Sequence, residues 1–548
     1  MTKKYSIAKI LLTVVVVFFV VGYIVYPLCQ LLVQSFLEKG TYSQLFDKTV
    51  FSACFNSIVL SVISVVGSAI IGVWLAYIFQ YKKFAFKSFF STMALLPIAI
   101  PPMVGVMCFL FLLGENGLLL KILPFTSFKF DGWFAIIALH LYSFYPLFFL
   151  FVGAAFKNLD NSIVEASYTL GAGKLKTFYS IILPQLLPSL IGASLLTFMA
   201  SMASFSAPFI FGGETRFLTT AIYYAKINAD NSYAAVLSIL LTVISIVFLA
   251  FLNCYRNKQP LTGRTKGAIR SVISFDNKKY NYITLGFIII FCIVIALPIV
   301  SLFILSLIPE GSLMQPGLNY SYSLDNFKNI FIDNDALQPF FNSIESSAAA
   351  ILLTLLIGLA VAYILRGKKN IFRSLVEIII SVPYGIPGTV IAICLIVSFN
   401  SPNLFSFNTI LVGTFWILPI AYTVRNIPIL SQAVIAGLHA IDPSIEEASA
   451  TLGATNFKTW RSITLPLIYP SILQGSLLVF INSFGEFVAT ILLYNYATKT
   501  ISVEVYSQLR LYNDGIAAAY GVIIFLIILL IVFLSRRALK KSTTINNL

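Results

Sequence analysis

The residues of this 548-residue chain that are best placed for chemistry come in two matched sets. Asp160 to Pro188 reads DNSIVEASYTLGAGKLKTFYSIILPQLLP, and Asp442 to Pro470 reads DPSIEEASATLGATNFKTWRSITLPLIYP, at an offset of 282. In each, a serine stands three residues before a glutamate: Ser162 before Glu165, Ser444 before Glu447. At that spacing a hydroxyl and a carboxylate satisfy the free amide donors of a helix start. Gly171 and Gly453 then stand where a left-handed residue can end the helix. A second helix, Lys174 to Ile181 or Phe457 to Ile463, is expected to stop at Pro184 or Pro466. The product is a helix-turn-helix elbow, present twice. One glutamate could be a cap and nothing more; two at matched places weaken that reading.

Charges inside apolar runs form the second set, because a charged group in hydrocarbon is costly. They are Glu345, Glu377, Arg425 and Glu486. Glu345 and Glu377 lie near the ends of their runs, where a lipid-facing or ion-paired structural role suffices. Arg425 and Glu486 lie deeper, and both structural pairing and the lining of a pathway fit them. His140 and His439 occupy different contexts and make no metal-ligand pair. The six cysteines are far apart and contain no C-x-x-C, so no zinc site or disulfide framework is expected. Gly171-Ala172-Gly173-Lys174 resembles a fragment of a phosphate loop, but Tyr168 stands in the first glycine position and Leu175 in the Ser/Thr position. The chain is therefore expected to bind no nucleotide, metal or cofactor of its own. No nucleophile with a base and no spaced His/Asp/Glu cluster suggests an enzyme.

Composition sets the kind of element that holds these residues. Hydrophobic residues are 59% of the chain and charged residues 10%, against roughly 45–50% and about 25% in a soluble domain. With about 20 apolar residues needed per crossing, an all-α integral membrane protein of about twelve spans is expected. The apolar runs lie at 10–33, 54–80, 89–113, 133–156, 185–210, 233–254, 282–308, 342–365, 374–399, 409–430, 467–493 and 516–535. The first run is too long for a signal peptide and no small-residue cleavage site follows it. Threaded with the N-terminus inside, 26 of the 36 Lys and Arg residues fall in cytoplasmic segments. That is the positive-inside pattern, with both termini cytoplasmic. The net charge of +15 therefore faces anionic lipid and not nucleic acid.

The duplication extends beyond the elbows. Asn56-Ser57-Ile58 recurs as Asn342-Ser343-Ile344, and Pro97-Ile98-Ala99-Ile100-Pro101 recurs as Pro383-Tyr384-Gly385-Ile386-Pro387, both at an offset of 286. Six spans per copy, an even number, give two parallel six-helix repeats: residues 1–255, a basic linker at 256–280, and residues 281–548. Pro97, Pro101, Pro383 and Pro387 interrupt spans three and nine at matched places. Such breaks serve either as packing kinks or as sites of binding and gating.

With these features in place, E-A-x-x-x-x-G, nine residues, then I-x-L-P resembles the EAA loop of permease subunits of ATP-binding-cassette importers. The matches are Glu165, Ala166, Gly171 and Pro184, then Glu447, Ala448, Gly453 and Pro466; both copies carry Ser at the third position in place of Ala. The resemblance covers essentially the whole chain. It implies a type I importer permease in a bacterial inner membrane. Each elbow would dock on one of two ATPase subunits that hold ATP and Mg, and an extracytoplasmic binding protein would deliver cargo. Fused halves are similar to ferric-iron permeases and to those for 2-aminoethylphosphonate or thiamine. Phe484 to Thr490 with Ile501-Ser502-Val503 favours the first two, with ferric iron leading. An ion-coupled secondary transporter is the alternative from another class, though it would have no use for two docking elbows.

Overall fold

A helix closes its own backbone hydrogen bonds, which is what lets these apolar runs persist in hydrocarbon. The computed structural model describes residues 7–37, 41–115, 117–122, 129–159, 161–257, 278–309, 321–365 and 371–545, and among them it is built of helices without strands. Ten helices are long and apolar enough to cross a membrane, or twelve if each of two bent pairs counts as one span. The expected linker lies outside the described residues from 258 to 277, as do Arg366 and Lys368.

The two copies build the same triad. Lys48–Tyr81 packs on Gly132–Lys157 with Leu183–Met202 against both, and Asn334–Leu365, Ile417–His439 and Leu465–Phe484 repeat the arrangement. The first span of each copy then crosses to the other half. Tyr26–Ser35 packs on Gly388–Phe399 of copy two, and Lys278–Ser306 packs on Pro102–Leu113 of copy one. Polar groups fix these crossings: Tyr23 donates to the Phe405 carbonyl at 2.8 Å, and Ser301 donates to the Cys108 carbonyl at 3.1 Å.

Spans three and nine are broken where the proline pairs stand. In copy two, Ile371–Gly385 and Gly388–Phe399 meet at 111°. A proline ring pushes the residue before it out of helical geometry. Ile100, before Pro101, has φ −94° and ψ 119°, and Ile386, before Pro387, has φ −102° and ψ 125°.

Several expected boundaries are corrected. Spans five and eleven start earlier, because the second arm of each elbow does not stop at Pro184 or Pro466. Each arm runs into the membrane helix as Leu175–Met202 or Phe457–Phe484. One wide turn at Phe178–Ile182, and another at Trp460–Thr464, makes this possible: the amide of Leu183 bonds the carbonyl of Phe178, and that of Leu465 bonds Trp460. The looser i→i+5 turn accommodates a proline that has no N–H to donate. At their far ends these spans stop at Met202 and Phe484, short of 210 and 493. Span ten is Ile417–His439, not 409–430, because Phe407, Asn408 and Gly413 take positive φ just before it.

Candidate functional site

The two elbows have the same construction. Their first arms are Asn161–Thr169 and Pro443–Thr451. The expected capping boxes do not form. Asp442 caps the second copy, its carboxylate accepting the Ser444 amide at 2.9 Å, so Ser444 and Glu447 lie inside the helix; Ser162 and Glu165 likewise lie within the helix that starts at Asn161. Accepting that amide holds the Asp442 carboxyl below its usual range. An aspartate followed by Pro443 outcompetes the serine because proline suits the first helical position.

The turns follow the expectation. Gly171 has φ +80° and Gly453 φ +79°, and a Cβ at either would meet nothing within 4 Å. Glycine is needed there for its backbone freedom and not for lack of space. The chain closes identically in both: Ala172 donates to Ser167 and Ala454 to Ser449, at 3.0 and 3.1 Å. Between the arms, the Ser167 and Thr177 hydroxyls share a hydrogen bond of 2.8 Å, and Ser449 and Thr459 share another of 2.8 Å. All four residues are buried. The serine that departs from the EAA pattern is thus the pin that fixes the elbow angle. The copies also differ where the Thr464 hydroxyl donates to Glu446 at 3.0 Å while the equivalent Val164 and Ile182 share an apolar core.

Glu165, Ala166, Glu447 and Ala448 lie on the exposed side. At the apex, Leu170 is 87% exposed and Leu452 88%. Ile163 and Ile445, and Leu175 and Phe457, are exposed around them at equivalent positions. The two elbows thus present matched sets of exposed apolar side chains.

The ends of the spans remote from the elbows meet on the pseudo-two-fold axis. Phe205 and Phe487, equivalent residues, lie with ring centroids 6.0 Å apart. Pro101 of one half packs on Gly485 of the other so closely that a Cβ on Gly485 would stand 2.5 Å from the proline Cβ. Here lie Arg425 and Glu486, joined at 2.5 Å. The Glu486 carboxylate also accepts the amides of Ala489 and Thr490 and the Thr490 hydroxyl, at 2.7–3.1 Å, and is 4% exposed. It is held by that set, so the pair it makes with Arg425 joins span ten to the break after span eleven. The Arg425 side chain remains 34% exposed and lies over Gly388, where span nine resumes after Pro383 and Pro387. In copy one, Pro97 and Pro101 stand at the matched break.

Sequence reasoning passed over three features here. His140 is not merely packed: Ser64 at 2.9 Å and Ser201 at 3.1 Å hold Nδ1, and Ser204 at 2.9 Å holds Nε2. Ser204 is the residue equivalent to Glu486, so one pseudo-symmetric position carries an uncharged network and the other an ion pair. The repeated Asn-Ser-Ile has a positional purpose. Asn56 donates to the Arg216 carbonyl at 3.0 Å and Asn342 to that of Ala497 at 2.8 Å. Ser57 accepts the Leu218 amide at 3.0 Å and Ser343 the Ile501 amide at 2.8 Å. These bonds start two short far-side helices, Leu218–Ile227 and Ile501–Arg510. Finally, those helices bring Tyr223 and Tyr506 to the axis beside Phe205 and Phe487, at centroid distances of 5.3 and 5.9 Å. The repeated motif was the available signal for this.

Among the described residues, no three His, Cys, Asp or Glu side chains come together to hold a metal. Beside the axis opens a cleft of about 960 Å³, with Asp47, Glu214 and Asp230, and with Phe209 and Tyr224 at the axis side.

Comparison with known proteins agrees with the duplication. The family profile described as binding-protein-dependent transport system inner membrane component matches residues 68–257 and again 350–544. The chain is 28% identical over 553 residues to the ferric transport system permease protein FbpB of Actinobacillus pleuropneumoniae, covering 96% of this chain and 77% of that one. It is 28% identical over 489 residues to the Fe(3+)-transport system permease protein FbpB 2 of Haemophilus influenzae, covering 88% and 89%. Among solved structures, a bacterial ABC transporter involved in the import of the acidic polysaccharide alginate aligns at 20% identity and a TM-score of 0.39, over 48% of this chain and 95% of that chain.

Proposed function

This chain belongs to the family of binding-protein-dependent transport system inner membrane components, and from that premise we propose that it imports ferric iron, driven by two ATPase subunits docked on its two elbows. The observation that carries the coupling is the duplicated elbow, with its exposed Leu170 and Leu452 held out by a positive-φ glycine and a buried hydroxyl pair. Similarity to two ferric permeases over 96% and 88% of this chain supports the cargo. The elbows and both termini face the cytoplasm. The Phe205–Phe487 end faces the binding protein, which hands over the cargo.

The elbow arm is one piece with the span it enters, from Lys174 to Met202, a rod of about 40 Å at 1.5 Å per residue. Its far end breaks beside Phe205, and that of Phe457–Phe484 beside Phe487. A displacement of the elbow is delivered to the axis without passing through a loop. Closure of the two ATPases on ATP and Mg shifts the balance between inward- and outward-open forms, because the docked elbows make different contacts in each. The Arg425–Glu486 pair transmits the movement of the span-eleven break to span ten. This chain supplies the pathway and the lever; hydrolysis takes place on the partner.

Reconstitution into liposomes with the cognate ATPase and binding protein tests the reading. ATP-dependent uptake of ferric iron, without uptake of 2-aminoethylphosphonate or thiamine, is expected. Uptake of either of the others in place of iron would overturn the cargo and leave the coupling intact.

A further inference from the structure

Glycine occupies position 485 for lack of space and not for its backbone. Gly485 follows Leu465–Phe484 with φ −93° and ψ 9°. Its equivalent in copy one, Ala203, carries a Cβ at nearly the same angles, φ −83° and ψ −5°. The difference lies in what each position meets. Gly485 is buried where Ala203 is half-buried, and a Cβ on Gly485 would stand 2.5 Å from the Cβ and 2.6 Å from the Cγ of Pro101 in the other half. A separation under 3.0 Å forces one partner to shift, and a proline ring, closed onto its own backbone, cannot swing aside.

Pro101 stands at the break in span three, and Gly485 at the break after span eleven. These breaks press on each other across the pseudo-two-fold axis, beside two further contacts between the halves: Phe205 with Phe487, and Phe209 with Tyr506 at a centroid distance of 5.2 Å. The matched break in span nine meets the opposite half more loosely. A Cβ on Gly385 would lie 3.4 Å from the end of the Met199 side chain, an ordinary contact. A pathway along the axis opens at this end only if the contacts between the halves separate. A gap of about 1 Å already forfeits up to half of such a contact, so the Pro101–Gly485 approach belongs to the closed form alone. An added methyl group likewise costs only the form in which Pro101 is there to meet it.

Resting on the importer reading, we propose that the Pro101–Gly485 contact is the latch of the outer gate, and that Gly485 sets how readily the gate opens. Filling position 485 raises the energy of the outer-closed form and so shifts the balance toward the outer-open one. Coupling is reciprocal. Closure of the ATPases favours the outer-open form, so a bias toward that form favours closure of the ATPases. A chain with a Cβ at position 485 therefore releases hydrolysis from its dependence on the binding protein. Glycine there keeps hydrolysis low until cargo arrives.

The test measures ATP hydrolysis by the full chain assembled with its ATPase in lipid nanodiscs, with and without the binding protein. Gly485→Ala is expected to raise the rate without binding protein at least about fivefold, the shift that one overpacked methyl group produces. Phe209→Ala removes a contact between the halves without adding a clash; it should act in the same direction, and it decides the matter if Gly485→Ala does not assemble. Gly475→Ala is the structural control. Its Cβ would meet Leu430 of the same half at 2.7 Å, so it should lower thermal stability and leave hydrolysis dependent on the binding protein. An unchanged rate without binding protein in assembled Gly485→Ala, or an equal rise in Gly475→Ala, would overturn the latch and leave the importer reading standing. If the binding protein fails to stimulate the unsubstituted assembly, the importer reading falls and the latch with it.

Discussion

Substitution of Gly171 and Gly453 probes the elbows with the fewest confounding effects. At φ +80° and +79°, with nothing within 4 Å of an added Cβ, a larger residue meets no neighbour and the penalty is confined to the backbone. Placing an L-residue in the left-handed region costs about 1–2 kcal/mol, and asparagine costs less because its short side chain bonds locally. Each elbow is pinned by one buried hydroxyl pair, so it has little margin to absorb this. The docking-competent population should fall by up to about 5–30-fold, and apparent affinity for the ATPase should fall by the same factor. The assay is a binding isotherm of the purified ATPase on nanodisc-held chain, with Gly, Asn, Ala and Val at both positions. The expected order of affinity is Gly, Asn, Ala, Val, with unchanged membrane insertion. An alanine variant that binds like the glycine chain, or an asparagine variant no better than valine, refutes the reasoning.

Ser449→Ala leaves the buried Thr459 hydroxyl unpaired and should cost about 1–3 kcal/mol; Ser449→Ala with Thr459→Val should cost less than the two single changes together, and a double-mutant cycle on thermal unfolding that proves additive contradicts the pin. Glu486→Ala strands Arg425 and frees two amides, and should cost up to about 3 kcal/mol, discounted because the Arg425 side chain is 34% exposed; Glu486→Gln should unfold nearer to the unsubstituted chain, and equal melting of all three would show that the pair is not structural. Asp442 has a folded pKa lowered below its ordinary 3.8 by the Ser444 amide, so its contribution is complete above that value and lost as pH falls through the folded pKa. ATPase affinity at the second elbow should therefore hold from neutral pH to about pH 4 and weaken below, while Asp442→Asn, which still caps, should lack the acid decline.

Some of this arrangement is legible in the sequence, and for identifiable reasons. The elbow glycines can be read because only a left-handed residue ends a helix and turns at once. The breaks in spans three and nine can be read because a proline straightens the residue before it, as at Ile100 and Ile386. Hydropathy carries no address, however, so nothing in Tyr26–Ser35 announced that it packs on the opposite half. Pro184 and Pro466 read as stops, because a wide turn that carries a helix past a proline leaves no residue signature. Ser167 and Ser449 read as small-for-small replacements, since their worth lies in Thr177 and Thr459, ten residues away and across a turn. Arg425 and Glu486 are 61 residues apart in the chain, and spacing alone left pairing and pathway-lining equally open.

ATP-dependent uptake of ferric iron by proteoliposomes, compared between the unsubstituted chain and the Gly171→Val, Gly453→Val double variant, tests the central claim most directly. The expected result is saturable uptake that needs ATP, the ATPase and the binding protein, and that collapses in the double variant while the chain remains inserted. Uptake driven by an ion gradient without ATP, or transport by the double variant at the unsubstituted rate, would contradict an importer coupled through its two elbows.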